Sequence, residues 1–95
     1  MAKSAIKTYR ADYNNLYRAC YEIIDDHPQC LRIVDDDFEH GFIVAEGIRW
    51  VDRTILTVKI SKSGKVSAKV SGFLTEGSVL NTFFENLEFY LHNRG

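Results

Sequence analysis

Little in this chain can staple a fold, break it or anchor it elsewhere. Its 95 residues include one proline, two cysteines and one methionine. Two cysteines give no disulfide framework, and a core must do the stabilising instead. No CxxC or HxxxH spacing occurs, so a compact metal site is not expected. Net charge is −1, which argues against a general nucleic-acid binder or a polybasic membrane anchor. No stretch approaches the roughly 20 apolar residues of a spanning helix. The opening Met-Ala-Lys-Ser-Ala-Ile-Lys lacks the apolar run of a signal peptide, so the cytoplasm is the expected compartment. A periplasmic location would require a leader ahead of Met1.

What is present is ordinary globular material: 45% hydrophobic and 26% charged residues, suited to one domain over 1–95. Cys20 falls on the apolar side of a helical stripe and Cys30 follows Pro28. Both are expected as reduced, partly buried thiols, because free cysteine behaves as a small hydrophobe. A disulfide would need their Cα atoms within about 7 Å across a helix end, an awkward geometry.

Tyr13, Leu16, Tyr17, Cys20, Ile23 and Ile24 recur at helical spacing, with Asp12 placed to cap the helix and Pro28 to stop it. The spacing predicts a helix over about 13–26. Residues 5–10 ahead of it read as a short edge strand or a helical lead-in, the strand being favoured. Cys30–Val34 alternates and runs into the acidic Asp35-Asp36-Asp37-Phe38-Glu39-His40-Gly41, after which Phe42–Glu46 resumes extended character. Gly41 is expected at positive φ, and Gly47 suggests a bulge or bend before Trp50. A last helix is predicted over about 79–92, capped by Ser78. It buries Leu80, Phe83, Phe84, Leu87, Tyr90 and Leu91, and Phe89 falls on its polar side.

The second hairpin allows its register to be worked out. A two-residue Ser63-Gly64 turn would oppose Ile60 with Ser67 and mix the faces. A three-residue loop with Gly64 left-handed pairs Ile60 with Val66, Val58 with Ala68 and Leu56 with Val70, keeping the apolar residues together. Ile55, Thr57, Lys59, Ser67, Lys69 and Ser71 then form a half-polar outer face. Two apolar helix faces need one large sheet face to bury them. The expected fold is α+β: a two-layer sandwich with a mostly antiparallel sheet of four or five strands, two helices on one face, and the order (β)αββββα.

Several stretches carry a resemblance: Tyr13-x-x-Leu16-x-x-Ala19-Cys20, Leu31-Arg-Ile-Val, Gly41-Phe-Ile-Val-Ala-Glu46, the hairpin Leu56–Ile60 to Val66–Val70, and Asn81-x-x-Phe84-x-x-Leu87-x-x-Tyr90-Leu91. Together they make nearly the whole chain resemble a group of small bacterial α+β domains of unknown function, some found in lipoproteins or membrane-anchored proteins. The chain departs from that group in lacking a signal sequence and a lipid-attachment cysteine. The resemblance implies a fold and brings no catalytic residues with it. The terminal hairpin and helix are also similar to secretion-chaperone-like domains. Those carry a further helix in mid-chain, and residues 47–54 are too few for one.

The acidic run Asp35, Asp36, Asp37, Glu39 with His40 lacks the spacing of a calcium loop, and alternation along a hairpin lets only about half its side chains converge. It reads as a solvated turn. His27, His40 and His92 have no Ser or Cys at a nucleophile's spacing, and the helical phase of Cys20 buries it. Catalytic residues, cofactors and metals are therefore not expected, nor is an enzyme. Lys59, Lys62, Lys65 and Lys69 crowd the second hairpin, with Lys59 and Lys69 diagonal on its outer face. That face offers Thr and Ser where a nucleic-acid-binding sheet shows aromatic rings, so the lysines read first as guards against association. Trp50, Phe73 and Phe89 lie outside the core pattern, and several such rings on adjoining elements would mark an interaction patch.

The residues thus point to a non-enzymatic binding module acting on a protein partner or on itself as a homodimer. The binding residues expected are Trp50, Phe73, Phe89, Lys59 and Lys69. Two alternatives stay open: an apolar-ligand carrier using space between Tyr13, Tyr17, Phe83, Phe84 and the sheet, and weak nucleic-acid binding through the Lys59–Lys69 hairpin.

Overall fold

The computed structural model describes residues 2–26, 31–47, 54–71 and 76–94. It contains β1 (Ala2–Thr8), α1 (Tyr13–Asp25), β2 (Leu31–Asp37), β3 (Phe42–Gly47), β4 (Ile55–Ile60), β5 (Lys65–Ser71) and α2 (Glu76–Arg94). The fold is α+β, with all five strands in one antiparallel sheet of order β1-β5-β4-β3-β2. Both helices pack on one face.

Alternation explains the sheet. Leu56, Val58 and Ile60 of β4 and Val66, Ala68 and Val70 of β5 are buried beneath the helices, joined by Ile43 and Ala45 of β3. The hairpin register is the one that patterning selects: Ile60 opposite Val66, Val58 opposite Ala68 and Leu56 opposite Val70. Gly64 closes the loop at φ +94° and Gly41 closes the β2–β3 turn at φ +71°. In that conformation glycine is at ease and residues with a β-carbon are strained.

Helix α1 begins where expected. The Asp12 carboxylate accepts from the Asn15 amide at 2.7 Å and from Asn15 Nδ2 at 3.0 Å, satisfying a donor the first turn leaves open. Leu16, Ala19, Cys20 and Ile24 are fully buried. β1 and β2 are the two edges of the sheet, and the connection between them runs through α1, whose first residue, Tyr13, already packs on Phe38 of the β2–β3 turn.

The structure corrects several sequence-based boundaries. β1 covers Ala2–Thr8 instead of 5–10, because it pairs residue for residue with β5 from Ala2–Ser71 to Thr8–Lys65. Helix α2 starts at Glu76, ahead of Ser78, whose side chain lies outside the described residues. Gly47 ends β3 in register opposite Leu31, and its amide donates to the Thr54 carbonyl at 2.7 Å. The irregularity among the described residues lies in β2, where a bulge between Ile33 and Asp35 leaves Val34 unpaired. The stretch after Gly47 with Trp50, the start of β2 at Cys30 and its thiol, and Phe73 fall outside the described residues.

Candidate interaction surface

Phe83 is fully buried at the centre of α2, and Phe84 meets its ring edge-on at a centroid distance of 5.0 Å. Tyr17 is also buried. Its ring and that of Tyr13 pack against Phe38 from the β2–β3 turn, at 5.1 and 5.3 Å. The Tyr13 hydroxyl donates to the Phe38 carbonyl. The four rings considered for a ligand cavity are thus engaged with one another, the core and Phe38. Burial raises the Tyr17 phenol to about 12, with the nearby Asp36 carboxylate adding to it. Burial alone pushes the Cys20 thiol up to about 12, which suppresses the thiolate that nucleophilic chemistry requires.

The bulge at Val34 decides where the acidic run points. After it, Asp35 stands opposite Val44 and Asp37 opposite Phe42, on the sheet face away from the helices. Asp36 is opposite Ile43 and faces the helical side. The run is therefore split between two faces. Asp37 accepts from the His40 amide at 3.1 Å and pairs with His40 Nδ1 at 2.7 Å, and those bonds hold its pKa below the usual carboxylate value. Among the described residues, no three His, Cys, Asp or Glu side chains are grouped to hold a metal ion.

Of the residues singled out from sequence, Lys59 and Lys69 are exposed on the open sheet face as diagonal neighbours, through the Lys59–Ser67 and Thr57–Lys69 pairs. Phe89 is 73% exposed on α2, in the opposite layer. The two groups do not meet. Phe89 instead borders a groove of about 440 Å³ between the helices, lined also by Glu22 and Ile23 of α1, by Asp26 at its C-cap, and by Asn86 and Tyr90 of α2. The Tyr90 hydroxyl donates to Glu22 and ties the two walls together.

Sequence reasoning missed a second groove, of about 640 Å³, between edge strand β1 and α2. Within it Lys7 Nζ bonds Glu88 Oε2 at 3.0 Å and stands 5.3 Å from the Phe84 ring centroid. The Tyr9 hydroxyl donates to the same Glu88 oxygen at 3.0 Å. Lys7 and Tyr9 lower the Glu88 pKa, and burial with this bond raises that of Tyr9. Nothing in the local spacing of residues 7, 9 and 88 betrays the cluster, which depends on β1 lying beside β5.

The two sheet edges differ. β2 carries the bulge and three successive aspartates, features that discourage strand addition. β1 is regular over its whole length. Among the described residues no helix is long and apolar enough to cross a membrane.

Compared with models of known protein families, the chain matches none, and no curated protein matches it either.

Proposed function

We propose that this chain is a non-enzymatic binding module that works through protein–protein contact, with a second copy or another chain as partner, using the helix-layer surface around Phe89. One observation carries this reading. Phe89 leaves a large ring 73% exposed beside a groove, on a helix whose other phenylalanines are buried. Exposed aromatic rings beside a groove are typical anchors of protein interfaces. The acidic Glu22 and Asp26 on the groove wall favour a partner segment carrying basic as well as apolar side chains.

Nucleic-acid binding has less support. Lys59, Lys65 and Lys69 share the open face with Asp35 and Asp37, which offset them, and Phe42 is the aromatic residue facing the same way. An apolar-ligand carrier has less support again, because Phe83, Phe84 and Tyr17 are packed into the core.

Size-exclusion chromatography with light scattering, at two chain concentrations, tests the self-association form of this reading. Phe89→Asp should keep the far-ultraviolet circular dichroism of the parent and abolish association. An oligomer unchanged by that substitution would remove the helix surface from consideration.

A further inference from the structure

On the sheet face opposite the helices Arg32 of β2 and Glu46 of β3 close on each other in an ion pair, and the remaining charges fall in two separate halves. Cross-strand pairing places Ser4, Lys69, Thr57, Val44 and Asp35 in one row and Ile6, Ser67, Lys59, Phe42 and Asp37 in the next. Both rows therefore run from lysine on β5 or β4 to aspartate on β2. Lys59, Lys69 and Asp35 are exposed and make no ion pair among the described residues. Between the two halves lie Thr57, Val44 and Phe42, all half-buried, which stand no taller than the side chains of an ordinary sheet-on-sheet packing about 10 Å apart.

We infer that this open face docks a second copy of the chain, stacked about a two-fold axis running along the strands between β3 and β4, so that Lys69 of each copy meets Asp35 of the other. The symmetry follows from the row order. Such an axis lays β5 over the second copy's β2 and β4 over its β3. Lys69 then faces Asp35, Thr57 faces Val44, Ser67 faces Asp37, and Lys59 lies over the Phe42 ring, where a cation is attracted. An axis running across the strands would instead stack β5 on β5 and β2 on β2, bringing the lysine-bearing strands together, which repels. A two-fold interface must be self-complementary, and a face that is basic at one side and acidic at the other satisfies this in only one of the two orientations. Aligned packing of twisted sheets, about 30° apart, is a standard way to close a second layer over a sheet. This inference goes beyond the reading built on Phe89 and does not rest on it, since Phe89 lies in the helical layer.

Sedimentation equilibrium of the full chain, from micromolar to millimolar concentration, tests it. The parent should dimerise, and the dimer should weaken as salt screens the pairs. Lys69→Glu or Asp35→Lys alone should weaken it by roughly tenfold, because each sets two like-charge pairs in place of two attractive ones. Combining the two substitutions in one chain should restore the dimer. Mixing the two single variants should produce a heterodimer, because both cross-pairs are then opposite in charge, and its appearance also shows that each variant is folded. A parent that stays monomeric throughout overturns the inference and leaves the Phe89 surface free for another protein. A dimer abolished by Phe89→Asp but indifferent to the charge reversals overturns it in favour of the helix surface. A dimer sensitive to the reversals and indifferent to Phe89→Asp supports the sheet face and removes the helix surface.

Discussion

The amide of Tyr9 donates to the carbonyl of Gly64 at 2.9 Å, fastening the end of β1 to the loop of the β4–β5 hairpin. Gly64 is held there at φ +94°, and a β-carbon built on it would run into the Tyr9 carbonyl oxygen. Position 41 repeats the arrangement: Ile60 donates to the Gly41 carbonyl at 2.7 Å, and a β-carbon would meet the Ile60 carbonyl and the Tyr13 hydroxyl. Each hairpin glycine is thus also the place where a neighbouring strand touches the turn.

Gly64→Ala should therefore be costly for so small a change. The left-handed conformation alone costs a residue with a β-carbon about 1–2 kcal/mol, and the collision adds to it. A urea midpoint lowered by the equivalent of ~2 kcal/mol or more is expected, against a total stability of about 5–15 kcal/mol for a domain. An unchanged midpoint would mean the turn does not hold β1.

Asp12→Ala should lower stability by about 1 kcal/mol, since it removes both bonds to Asn15. Asp12→Asn should recover most of that loss, because an amide oxygen can still accept from the Asn15 backbone. A urea melt of the three proteins decides it, and equal losses for both variants would remove the capping role.

Phe83 and Phe89 sit on one helix and should behave oppositely. Phe83→Ala empties a fully buried site and should cost about 3–5 kcal/mol, enough to threaten folding. Phe89→Ala removes an exposed ring and should stay within about 0.5 kcal/mol of the parent. Thermal melts followed by circular dichroism would show the contrast.

Stability should decline on the alkaline side. Cys20 and Tyr17 are raised to about 12, and Tyr9 and Tyr13 are also raised. In the unfolded chain a thiol ionises near ~8.5 and a phenol near ~10. The native protein therefore keeps protons that the unfolded chain releases, and stability falls as pH rises through that interval towards 12. Urea midpoints measured from pH 7 to 11 should show this slope. Cys20→Ala should delay its onset to the range where phenols ionise, and a flat profile for the parent would contradict the burial of these groups.

Much of the fold was legible in the sequence because one physical rule decided each part. Alternation together with a single glycine set the β4–β5 register, and a 3.6-residue stripe with Asp12 ahead of it set α1. The bulge at Val34 was not legible, since Leu31–Val34 and Asp35–Asp37 read smoothly as strand and turn, and only pairing with β3 reveals the extra residue. Its effect on the candidate surface is large. It turns Asp35 and Asp37 onto the same face as Lys59 and Lys69, so the lysines predicted from sequence acquire acidic neighbours that sequence alone could not place. Phe89 was found by its helical phase. Glu88 was missed because its partners Lys7 and Tyr9 are brought near only by the long-range pairing of β1.

That pairing has a consequence for how the chain is made. β2 to β5 form a meander of near neighbours, yet Ala2 must find Ser71. β1 leaves the ribosome first and has no partner until β5 follows. At about 5–20 residues per second, the unpaired strand is exposed for several seconds of synthesis. The β1–β5 pairing also closes the longest loop within the sheet, which is the slowest kind of contact to form. In cells the regular β1, guarded only by Lys3 and Lys7, is thus open to capture by other chains until β5 follows.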